Sequence, residues 1–76
     1  MANYHVVPNP EKGWAVKRER AKRTSDFART QRSAERKAKK FAVRSGGGEV
    51  VIHRRDGKIR EKDTMYPARD PFPPRG

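Results

Sequence analysis

Seventy-six residues, 32% of them hydrophobic, leave room for one small core, and the absence of cysteine excludes disulfides and thiolate metal sites. No apolar run approaches the ~20 residues that span a bilayer, which excludes a transmembrane helix. The net charge of +11 is uneven: Lys17 to Arg44 holds twelve Lys/Arg against Glu19, Asp26 and Glu35, leaving eight bases against six acids elsewhere.

Residues 4–8, Tyr-His-Val-Val-Pro, read as a first strand, with Pro8, which lacks a ladder donor, closing it or marking an edge. Pro10 and Gly13 mark a turn. Residues 14–18 resume as a second strand with Trp14 and Val16 on one face, continuing towards Thr24. Thr30 is placed to cap a helix over residues 31–44, its hydroxyl accepting from the first turn. Ala34, Ala38, Phe41 and Ala42 fall on one stripe of that helix. Gly46 suits the left-handed position after its end, and Ser45 to Gly48 read as a flexible connection. Residues 49–55 are β-branched-rich and read as a strand. Asp56-Gly57 fits a two-residue hairpin turn, and Lys58 to Asp63 returns as an edge strand.

The order predicts an α+β fold, a ββαββ domain over residues 1–64 whose antiparallel sheet packs on one helix. Residues 65–76 form a proline-rich tail, read as cover for the domain's own apolar edge in preference to a ligand for a partner's aromatic groove. The expected core is Tyr4, Val6, Trp14, Val16, Phe27, Phe41, Val50, Ile52 and Ile59, with strand faces sensitive to a one-residue slip.

Several segments together resemble a known family. They are Tyr4-His5-Val6-Val7-Pro8, Gly13-Trp14-Ala15-Val16-Lys17-Arg18-Glu19, Val51-Ile52-His53-Arg54-Arg55-Asp56-Gly57-Lys58-Ile59-Arg60-Glu61-Lys62-Asp63 and Asp70-Pro71-Phe72-Pro73-Pro74. The chain is similar across nearly its whole length to the small bacterial family catalogued as domain of unknown function 2188. The resemblance implies a compact bacterial or phage-borne domain with hairpin–helix–hairpin order, and it transfers no catalytic residue. The helix here is more basic than the alanine- and glutamate-rich helix associated with that family. Met65-Tyr66-Pro67-Ala68 also replaces a shorter Tyr-Gly link.

Concentrated positive charge attracts polyanions. The expected nucleic-acid contacts are Lys17, Arg18, Arg20, Lys22, Arg23, Arg32, Arg36, Lys37, Lys39, Lys40 and Arg44. Nothing matches a helix-turn-helix, zinc finger or basic zipper, so binding to DNA or RNA carries weak sequence preference. The alternative is a protein-interaction module that takes an acidic protein or pairs as a homodimer through a sheet edge.

His5 and His53 are the two histidines, both on strands that bring them near each other across the sheet. Metal-ligand spacing is absent, and a two-histidine site needs a carboxylate such as Glu49 or Glu61, so no metal and no cofactor is expected. No serine or threonine sits in a nucleophile elbow, and Gly46-Gly47-Gly48 follows a helix instead of preceding one. The chain is therefore not expected to be an enzyme. Its first residues lack a charged-then-apolar signal pattern, which points to the cytoplasm and away from membranes.

Overall fold

A computed structural model describes residues 1–66; the tail beyond Tyr66 lies outside the described residues. Five strands and one helix follow in the order β1 (Tyr4–Asn9), β2 (Gly13–Arg18), β3 (Thr24–Ala28), α1 (Gln31–Arg44), β4 (Gly48–His53) and β5 (Ile59–Met65). They form one mixed sheet, ordered β3-β2-β1-β4-β5, with the helix packed on one face. The α+β class and the two hairpins β1–β2 and β4–β5 stand as read from the sequence, and a further strand, β3, lies between the first hairpin and the helix.

The predicted extension of β2 towards Thr24 is corrected. The chain reverses after Arg18 through Arg20, a residue in the left-handed region at φ 69°, and the Ala21 N–H donates to the Arg18 carbonyl at 3.0 Å. Thr24–Ala28 then returns as β3 along the free edge of β2, giving those backbone groups partners.

The extra strand also changes the sheet's sense. One more reversal before the helix means that β4 enters beside β1 running the same way. The β1–β4 pair is therefore parallel, with Tyr4 opposite Val50 and Val6 opposite Ile52. The other pairs are antiparallel, so the fully antiparallel sheet is corrected to a mixed one.

Thr30 caps α1 as expected, accepting from the Ser33 N–H at 3.1 Å. At the other end the Gly47 N–H reaches the Ala42 carbonyl (2.9 Å) and the Gly46 N–H that of Val43 (3.1 Å), a Schellman ending. The connection is therefore ordered rather than flexible: Gly47 and Gly48 are buried, and the Ala2 N–H donates to the Gly47 carbonyl at 3.2 Å.

Ala34, Ala38 and Ala42 are fully buried, and their small side chains let the helix lie close to Val6, Val16, Val50 and Ile52, which are also fully buried. Tyr4 and Trp14 belong to this core, and Phe41 packs on it from the rim, stacked on Tyr4 with ring centroids 5.7 Å apart. Phe27 and Ile59 do not join. Phe27 pairs with Ala15 on the face away from the helix, where Lys12 lies 4.7 Å above its ring. Ile59 lies across from His53, past a bulge, and is 54% exposed. For Ile59 this is a parity error of one residue, which exchanges the two faces of a strand, whereas the side Phe27 takes is set by β3, a strand absent from the sequence reading.

The β4–β5 turn is also longer than the predicted two-residue form. Arg54 N–H donates to the Lys58 carbonyl and Gly57 N–H to the Arg54 carbonyl, and Gly57 alone takes positive φ (90°). This is the three-residue loop of a type I turn followed by a left-handed residue.

Candidate nucleic-acid interface

The helix decides which cations are available. Its inward stripe is alanine, so the charged side chains flank or oppose the sheet. Those on the flanks are tied down. Lys37 meets Asp26 on β3 at 3.3 Å and donates to the Phe27 carbonyl at 2.7 Å. Lys39 meets Asp63 on β5 at 3.2 Å. Glu35 takes Arg60 of β5 at 3.0 Å. Lys37 and Lys39, both expected contacts, thus serve the helix–sheet junction.

Arg32, Arg36, Lys40 and Arg44 follow at steps of four along the outer surface, and all are exposed. Among the described residues none of the four forms an ion pair. Side chains four apart are neighbours on a helix, so these cations make one ridge. The first helical turn contains no acid, although Arg32 stands there. A cation at the positive end of the helix dipole is unfavourable by roughly 0.3–1 kcal/mol. Packing does not account for that placement, because Arg32 is exposed.

The β2–β3 hairpin adds Arg18, Arg20, Lys22 and Arg23, also exposed. The register puts Arg18 beside Tyr4, hence on the helix side. Tyr4 lies next to Val50 near the start of β4, where the helix ends at Arg44. The hairpin therefore stands at the Arg44 end of the ridge. Lys17 is separated from the rest: it pairs with His5 and lies on the uncovered face. Arg29 and Arg60, absent from the expected contacts, also border the helix; Arg60 spans to Gln31 and Glu35.

Two carboxyls are tuned by this network. The Phe27 N–H, at 2.7 Å, and then Lys37 hold the Asp26 carboxyl below the ordinary aspartate range despite some desolvation. A hydrogen bond from His5 does the same for Glu19, with Asn3 adding a smaller effect. A carboxyl lowered in the folded state contributes stability above its unfolded value, and loses it as pH falls through the folded value. Thermal melts should therefore hold steady down to roughly pH 4 and decline below it. Asp26→Asn should melt lower than the parent at neutral pH, and the two should converge in acid. Parallel curves would show that Asp26 has no part in the acid limb.

Residues 4–65 match the model of a family described as an uncharacterized protein conserved in bacteria, DUF2188. The chain belongs to that family. The DUF2188 match begins at the first residue of β1 and ends at the last of β5, so the whole sheet and the helix lie within it. A relative from Bacillus subtilis (strain 168), named uncharacterized protein YdaT, is 43% identical over 58 residues, 76% of this chain. The match covers 37% of that relative's length. No solved structure matches the chain significantly. Among the described residues no helix is long and apolar enough to cross a membrane.

Proposed function

We propose that this DUF2188 domain binds nucleic acid through the phosphate backbone, using the ridge Arg32, Arg36, Lys40 and Arg44 and the hairpin cations Arg18, Arg20, Lys22 and Arg23. The observation that carries the reading is the contrast between two sets of helix cations. Lys37 and Lys39 are spent on Asp26 and Asp63, whereas the ridge has no ion-pair partner among the described residues. Arginine suits this role because its planar fork matches phosphate oxygens. Backbone contacts give affinity and register without reading bases, so the preference for sequence is weak.

The test is binding to labelled duplex DNA, single-stranded DNA and RNA across roughly 50–300 mM salt. Neutralising ~5 phosphates predicts a log–log slope of about −4 to −5. Binding that ignores salt, or none at the lowest salt, rejects the reading.

A protein partner is the second reading, and the uncovered sheet face favours it. Val7, Ala15 and Val51 lie at its centre, where no helix or strand of the described chain packs, and neighbouring side chains leave Ala15 and Val51 only 3% and 5% exposed. An acidic protein or a second copy of the chain suits that face. Capture of a protein partner that persists after nuclease treatment would favour this reading over the first.

A further inference from the structure

His5 on β1 and His53 on β4 lie on the uncovered face, away from the helix. The register sets His5 opposite Val51 and Val6 opposite Ile52, so His53 is next along on the His5 side. The His5 Nδ1 and His53 Nε2 atoms are 3.1 Å apart, with the ring planes tilted by 31°. The outer nitrogens have partners of a particular kind. His5 Nε2 meets the Glu19 carboxylate at 3.1 Å, and His53 Nδ1 meets the Gly57 carbonyl at 3.2 Å.

An ionised carboxylate and a carbonyl only accept hydrogen bonds, so each outer nitrogen carries its ring's proton. A neutral imidazole has one N–H. With both rings neutral, the two inner nitrogens present lone pairs to each other across 3.1 Å, and either a shared proton or a metal ion between them satisfies both.

We propose that His5 and His53 form a binding site for a borderline divalent transition ion of the zinc class. Three observations support a metal ion as the occupant. First, an ion about 2.0–2.1 Å from each nitrogen would subtend an angle of about 98°, between the square-planar and tetrahedral values. Second, histidine ligands hold their other N–H against a carboxylate or backbone carbonyl, as Glu19 and Gly57 do here. Third, the pair lines an open groove that leaves space for water ligands. Among the described residues no third His, Cys, Asp or Glu completes a cluster, so water supplies the remaining positions. Imidazole nitrogen selects zinc, copper or nickel over magnesium or calcium. Lys17, Arg18 and Arg20 border the same groove and repel a dication, which makes the site weaker than a closed structural one. Glu49 and Glu61, the carboxylates named from the sequence, are not the ones beside the pair. Glu19, brought back by the β2–β3 reversal, occupies that place.

The experiment is a zinc titration of the full ¹⁵N-labelled chain at neutral pH, read on the imidazole nitrogens, with magnesium as control. Before zinc, His5 should be the Nε2–H tautomer and His53 the Nδ1–H tautomer. Zinc should bind with a stoichiometry of one ion per chain, moving His5 Nδ1 and His53 Nε2 while the outer nitrogens stay protonated, and magnesium should move neither. His53→Gln should abolish the response. Glu19→Gln, at an exposed side chain that leaves the sheet intact, should bind zinc roughly 10–100-fold more weakly. No response at millimolar zinc would overturn the proposal, leaving the inner nitrogens to share a proton. Undiminished zinc affinity in His53→Gln would overturn it as well.

Discussion

Gly48→Ala should leave most of the domain unfolded at room temperature. Gly48 opens β4 at φ 150°, in a region that side chains rarely adopt. An added Cβ would overlap the Ala2 carbonyl oxygen and lie 2.8 Å from the Ala2 carbonyl carbon. That backbone has little freedom to yield. The Ala2 N–H is bonded to the Gly47 carbonyl, and the Asn3 side-chain oxygen accepts the Glu49 N–H at 2.9 Å. The Asn3 carbonyl in turn accepts the Glu19 N–H at 2.7 Å, which links the strap to the basic hairpin. Backbone strain of about 1–3 kcal/mol and overpacking of a similar size act together. A core of this size supplies only about 3–5 kcal/mol. Gly57→Ala is the matched control: Gly57 also has positive φ, but nothing lies within 4 Å of its added Cβ. Urea melts followed by Trp14 fluorescence should show a far larger loss for Gly48→Ala. Equal losses would mean that φ strain alone operates and the Ala2 strap does not matter.

Changing Arg32, Arg36, Lys40 and Arg44 together to Gln should weaken nucleic-acid binding on the order of 10³-fold near physiological salt. Each phosphate contact contributes about 0.9 to the log–log salt slope, so four contacts account for roughly 3.6 of it. The four side chains are exposed and without ion pairs among the described residues, so the fold should tolerate the change. Lys37→Gln with Lys39→Gln is the contrasting variant. Those cations already face Asp26 and Asp63, and losing the two half-exposed pairs should cost about 1 kcal/mol of stability or less each. Their removal should reduce binding only a few-fold. If the two variants lost affinity in proportion to charge removed, net charge and not the ridge would be responsible.

The elements legible in the sequence are those with strong local signals. Thr30, the alanine stripe and Gly46 mark both ends and the buried face of α1 within a few residues of one another. The β-branched run Val50-Val51-Ile52 marks β4 in the same way. β3 has no such signal, since Thr-Ser-Asp-Phe-Ala offers one large apolar side chain, and its strand state comes from pairing with the open edge of β2. Missing that strand also hid the parallel sense of β1 and β4, because direction depends on the number of reversals before the helix. The candidate interface was legible as a tract but not as a surface. Twelve bases between Lys17 and Arg44 are countable, yet the acids that bind Lys37 and Lys39 lie 11 and 24 positions away. The approach of His5 and His53 was legible from their strands, whereas their direct contact at 3.1 Å and the arrival of Glu19 beside them were not.

By itself, then, the sequence determined the helix and its caps, most of the central core and the sign and location of the charge, because propensity, periodicity and net charge are properties of neighbouring residues. The tertiary structure alone decided the fifth strand, the parallel pair, the cations left unpaired and the groups gathered around His5. Each of these depends on which distant segments meet across the sheet, and pairing of that kind is set by hydrogen-bond completion and burial, which no local pattern encodes.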